Sequence, residues 1–131
     1  MLSSIDIKTW LSGDADFIGV FALNKIPNFS NMYKPLKFVV NTDPINLPGT
    51  HWIAVWRNAM AEVEIFDSFG FFPAGAIQLW CNANCDSWQY NRQSIQNPDT
   101  QLCGTYVCLF LQFRHKFKSM EACIRYLSKI V

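Results

Sequence analysis

The sequence predicts an α+β domain: a central, mostly antiparallel sheet flanked by helices, with a cysteine at the N-terminus of its most buried helix. Three observations lead there. The runs LKFVVNT, HWIAVWRN and AEVEIFDSFG are short, apolar and rich in β-branched and aromatic residues, as strands are. The last two are separated only by RNAMA, which suits a hairpin although it lacks an Asn-Gly turn. Finally, CGTYVCLFLQFRHKF places Cys103, Val107, Phe110, Leu111 and Arg114 on one helical stripe, the pattern of a core helix.

The remaining elements follow in order. SSIDIKTWL reads as a short helix, capped by Ser3 or Ser4 and closed by Gly13. DADFIGVFALNKIP is a short strand or an irregular apolar segment running into Pro27. DPINLPG is a loop, punctuated by Pro44, Pro48 and Gly49. In EVEIFD, Val63, Ile65 and Asp67 alternate with Glu62, Glu64 and Phe66. PAGAIQLWCN suits a short helix. SWQYNRQSIQ reads as a strand, with Trp88, Tyr90, Arg92 and Ser94 on one face. SMEACIRYLSKIV is a final amphipathic helix beginning near Ser119.

With 131 residues, half of them apolar, residues 1–131 are expected to form a single domain with a substantial core. No apolar run approaches the roughly 20 residues that span a bilayer, so no membrane association is expected. MLSSIDIKTWLSGDADF has no basic segment followed by an apolar one, so secretion is not expected. Five cysteines without paired CxxC spacing, and only two histidines, argue for free thiols in a reducing compartment and against a zinc site. Residues 1–88 carry 5 Lys+Arg against 8 Asp+Glu, and residues 89–131 carry 6 against 2. That basic bias could meet DNA or an acidic partner, but the stronger reading is the solvation of helix faces and helix C-termini by Arg114, Lys116, Lys118, Arg125 and Lys129.

One constellation carries chemistry. A thiol nucleophile needs a low pKa, a base, and donors aimed at the developing oxyanion. Cys103 opens a helix, where unpaired N–H groups and the helix dipole favour a thiolate, and Gly104 leaves room for a substrate carbonyl. His51 stands where a loop enters a strand, a better position for a base than His115, which lies between Arg114 and Lys116 late in a helix. Asp67 ends the partner strand. In an antiparallel hairpin the start of one strand lies beside the end of the other, which brings Asp67 to His51; alone, an acid there is equally a turn residue. Gln96 and Gln101 both precede Cys103 closely enough to supply an amide donor. Cys81, Cys85, Cys108 and Cys123 read as small packing residues.

PGTHWIAVW, EIFDSFGF and SIQNPDTQLCGTYVCLFL together resemble the adenovirus-type (adenain-like) cysteine proteases, in the clan of SUMO- and NEDD8-specific proteases, and FIGVF, IPNF and VVNT extend the likeness to nearly the whole chain. The resemblance implies a papain-like thiol endopeptidase with His51, Asp67, Gln96 and Cys103 as its catalytic set, and it selects Gln96 over Gln101. Asp67 stands where the adenoviral enzymes carry Glu and the SUMO-protease branch carries Asp. No cofactor is implied, but DNA and an activating peptide become candidate partners. The implied substrate is a capsid or precursor polypeptide, and the implied setting is the virion and the host nucleus or cytoplasm. An isopeptidase for ubiquitin-like proteins and a catalytically idle DNA- or virion-binding module are the alternatives.

Overall fold

The strand runs expected from the sequence form one five-stranded sheet, in the order β1-β2-β3-β4-β5. The computed structural model describes residues 1–30, 34–42 and 51–131. The loop expected over DPINLPG lies outside the described residues. In chain order the elements are α1 (Ser4–Trp10), β1 (Phe17–Ala22), β2 (Leu36–Asn41), β3 (Trp52–Arg57), β4 (Glu62–Phe66), α2 (Gly75–Asn84), β5 (Ser87–Tyr90), α3 (Cys103–Phe113), a 3-10 turn (Arg114–Lys116) and α4 (Met120–Ile130). Among the described residues no helix is long and apolar enough to cross a membrane.

The centre of the sheet is antiparallel, β2 against β3 and β3 against β4, while β1 joins β2 and β4 joins β5 in parallel. A parallel neighbour needs a crossover rather than a tight turn. The segment 23–35 supplies one and α2 the other, so both edges depart from the antiparallel expectation. The SWQYNRQSIQ strand is also shorter than expected, ending at Tyr90.

Helix α1 starts at Ser3 through a reciprocal capping box: the Ser3 hydroxyl accepts from the Asp6 amide at 3.1 Å, and the Asp6 carboxylate accepts from the Ser3 amide at 2.8 Å. Ser119 caps α4 by accepting from the Ala122 amide at 3.1 Å. The β3–β4 hairpin solves its turn without Asn-Gly. The Asn58 carboxamide oxygen accepts from the Met60 and Glu62 amides, and Ala61 takes the left-handed conformation at φ 59°.

Both faces of the sheet are covered. On one, Val39, Trp52, Ala54 and Phe66 pack against α3 and α4, with the Phe66 and Phe110 rings stacked 4.6 Å apart. On the other, Phe38, Val40, Ile53, Val55, Val63 and Ile65 pack against Ile77, Trp80 and Cys81 of α2. The stripe read on α3 is buried in full, Arg114 included. Arg114 therefore does not solvate a helix face. Its Nε and Nη2 donate to the two oxygens of Glu64 at 2.6 and 2.7 Å, its Nη1 donates to the Phe117 carbonyl at 2.9 Å, and its guanidinium lies 4.9 Å from the Trp56 ring centre. A bidentate, stacked guanidinium is how a charge becomes tolerable beneath a sheet.

Candidate active site

Strand register decides where His51 and Asp67 go. Ala54 pairs with Phe66 and Arg57 with Val63, so the residue entering β3 and the residue leaving β4 lie side by side at one end of these central strands. His51 and Asp67 are both buried there, with His51 Nε2 2.9 Å from Asp67 Oδ1. The N-terminus of α3 meets the same end of the sheet and brings in Cys103, also buried. The Cys103 thiol is hydrogen-bonded by the His51 side chain and by the backbone N–H groups of Trp52 and Gly104. Asp67, His51 and Cys103 thus form one line, with the Asp67 bond to Nε2 leaving Nδ1 for the thiol.

The electrostatics follow from that line. Burial alone would raise the Cys103 thiol, but the His51 hydrogen bond, the Trp52 and Gly104 amides and the His51 charge outweigh it and hold the pKa below the ordinary thiol value. Burial alone would lower His51, but its bonds and charge interactions with Asp67 and Cys103 carry it up from 6.5 to about 9. The remaining thiols go the other way. Burial pushes Cys81 and Cys108 up to about 12 and Cys123 up to about 11, and it raises Cys85 as well. Cys103 alone among the five has its thiol held below the ordinary value.

Asp67 is held from several directions. Its Oδ1 also accepts from the Phe69 amide at 2.8 Å. Its backbone N–H donates to the Asn91 carboxamide oxygen at 2.8 Å, and its carbonyl accepts from the Asn91 carboxamide nitrogen. Asn91, which the sequence reading placed in a strand without a role, is therefore the clamp that fixes the end of β4. Its signal was faint: an Asn just past an aromatic strand is ordinary turn chemistry. The turn after Asp67 closes through the Gly70 amide to the Asp67 carbonyl at 2.8 Å. Gly70 has φ +69°, and a Cβ there would lie 2.8 Å from the Gln93 carbonyl carbon. Only glycine fits both the conformation and the approach.

Gln96 is buried and Gln101 is exposed, which separates the two glutamines. The Ser68 hydroxyl donates to Gln96 Oε1, and Gln96 Nε2 donates to the Thr100 carbonyl at 3.0 Å and lies 3.2 Å from its hydroxyl. The Ser68 carbonyl in turn accepts the Ile95 and Gln96 amides, at 2.9 and 3.1 Å. Gln96 is thus anchored against the residue that follows Asp67. Gly104 differs from the sequence reading. Its missing Cβ makes room for Leu2, whose own Cβ would be 2.9 Å from one placed on Gly104, rather than for a substrate carbonyl. His115 is exposed at the far end of α3, as expected.

Two aromatic rings lie against the imidazole. The Phe69 ring is centred 5.1 Å from that of His51 at a 31° tilt, and Phe71 is centred 6.3 Å away, edge on at 62°.

Comparison with known proteins places these residues among relatives. Residues 17–81 match the family described as adenovirus endoprotease. The chain is 30% identical over 111 residues to the protease of Bovine adenovirus C serotype 10, an alignment covering 73% of this chain and 55% of that protein. It is 27% identical over 110 residues to the protease of Human adenovirus B serotype 3, covering 72% and 52%. The chain therefore spans about half the length of the curated relatives it matches. Among solved structures, the selenomethionine form of an ASFV protease superposes with a TM-score of 0.72 at 16% identity, covering 98% of this chain and 65% of that one. The central domain of a Legionella pneumophila protein superposes at 0.54, also at 16% identity, covering 99% and 88%. At such identities these superpositions speak for the fold.

Proposed function

We propose, on the premise that this chain is a relative of the adenovirus endoproteases, that it is a thiol endopeptidase using Cys103, His51, Asp67 and Gln96. The observation that carries this reading is the buried line Asp67–His51–Cys103, with the one depressed thiol of the chain at a helix N-terminus.

In the reading, the Cys103 thiolate attacks a peptide carbonyl carbon and the bond to nitrogen breaks. The His51 imidazolium gives its proton to the departing amine. The backbone N–H of Cys103 and the Gln96 amide receive the oxyanion, the latter by turning one N–H from Thr100 toward the substrate. His51 then deprotonates water, which attacks the thioester and releases the carboxylate product and the thiol. Asp67 keeps Nε2 protonated and the ring in place throughout. The substrate is a polypeptide, and kinship with adenoviral proteases favours a virion precursor. DNA and an activating peptide remain candidate partners on that kinship alone.

The test is hydrolysis of a peptide containing Gly-Gly or Gly-X-Gly by the wild type and by Cys103→Ala. Loss of cleavage in the variant is expected, and equal rates in both would sink the assignment. Fluorogenic ubiquitin and SUMO substrates in the same assay would reveal an isopeptidase instead.

A pH profile follows from the same proton. The reactive pair is thiolate and imidazolium. kcat/KM therefore rises as Cys103 deprotonates on the acid side and falls as His51 loses its proton near pH 9. Because Asp67 is the leading cause holding His51 up, Asp67→Asn should move the alkaline limb to lower pH. An unmoved limb in a kcat/KM titration would show that the limb belongs to another group.

A further inference from the structure

Phe71 is a half-exposed aromatic with no place in either core cluster: 53% of it is open to solvent, yet its ring meets His51 edge on. The shielding of the His51–Asp67 bond does not call for it. Phe69, less exposed, already lies over the imidazole and donates its amide to Asp67. The Phe71 ring is centred 5.7 Å from that of Phe69, so it extends this wall outward. The next residue, Phe72, is 61% exposed and its ring meets those of Tyr90 and Trp88 at the sheet edge, 5.3 and 6.1 Å away.

Resting on the endopeptidase reading, we propose that Phe71 is a specificity-determining residue, the wall that receives an apolar side chain on the first residue after the scissile bond. The argument runs through the proton. His51 must hand it to the departing amine, so that nitrogen comes within about 3 Å of the imidazole. The side chain of the residue carrying the nitrogen is anchored only one bond further on. It therefore falls beside whatever ring flanks the imidazole at the surface, and that ring is Phe71. The acyl half of the substrate is bonded at Cys103, at the N-terminus of α3. An apolar side chain there covers the exposed ring and is desolvated in the same event.

The experiment compares two peptides identical except for the first residue after the cleaved bond, leucine or glycine, with the wild type, Phe71→Ala and Phe71→Leu. The wild type is expected to favour the leucine peptide by about tenfold or more in kcat/KM, mainly through KM. Phe71→Ala should bring that ratio close to one, and Phe71→Leu should restore much of it. A wild type without preference for leucine overturns the proposal. So does a Phe71→Ala enzyme that slows both peptides equally, because that is the result of a ring that only orients or shields His51. Wild-type hydrolysis of the glycine peptide, lost in Cys103→Ala, bears on the endopeptidase reading by itself, so the two ideas fail separately.

Discussion

Replacing His51 by alanine is expected to lower kcat/KM by about 10³-fold or more, with the fold retained. The imidazole has two duties at Cys103. It is the leading influence that lowers the thiol pKa, which raises the thiolate fraction, and in the proposed mechanism it protonates the leaving amine. Alanine removes both, so the loss exceeds what a single missing proton donor would give. The fold should survive because the buried Asp67 carboxylate keeps its bond from the Phe69 amide at 2.8 Å. Steady-state kinetics on the wild type and variant, beside thermal unfolding of both, would separate chemistry from stability. Iodoacetamide adds a direct reading: alkylation of Cys103 at pH 6 should slow in His51→Ala, since fewer thiols are ionised. A variant that kept full activity would move the base elsewhere.

Arg114→Ala should destabilise the protein by about 3–5 kcal/mol, the largest effect on stability expected from a single change here. The guanidinium satisfies both oxygens of Glu64 inside the sheet–helix interface, and both side chains are 9% exposed. Among the described residues, alanine would leave the buried carboxylate with Gln89 as its remaining hydrogen-bond partner, at 3.3 Å, and would strip the Trp56 ring of its cation. Against a total stability on the order of 5–15 kcal/mol, such a loss leaves a marginal fold. Urea denaturation of the wild type, Arg114→Ala and the double variant Glu64→Gln with Arg114→Met would test the cause. The double variant should recover most of the loss, because it removes the stranded charge as well as its partner. Recovery absent from the double variant would show that packing of the arginine stem, and not the charge, carries the effect.

The sequence made the line of the site legible for a physical reason. Hairpin geometry converts two sequence positions, His51 before one strand and Asp67 after the next, into neighbours without any tertiary knowledge. The helical stripe on α3 is equally local, and it fixed the direction in which Cys103 faces the sheet. What stayed hidden depends on contacts between segments distant in the chain. Asn91 reaches Asp67 across 24 residues, and Ser68 meets Gln96 across 28. Neither leaves a periodic trace. Arg114 looked solvated because a lone basic residue on a helix usually is, and its acid lies 50 residues upstream. The parallel edges were hidden in the same way, since strand direction there depends on how long connections cross the sheet.

The turn after β4 has one more consequence. Asn91 grips the backbone of Asp67, the Ser68 carbonyl takes the amides of Ile95 and Gln96, and Gly70 closes against the backbone of 92–94. Residues 67–70 and 91–96 are therefore cross-stitched into one cooperative opening unit, whose amides would exchange with solvent together rather than singly. Asp67, which in the proposed mechanism would aim His51, and the Gln96 amide that would meet the oxyanion both belong to that unit. A local opening of the protein thus cannot disable one of them and spare the other.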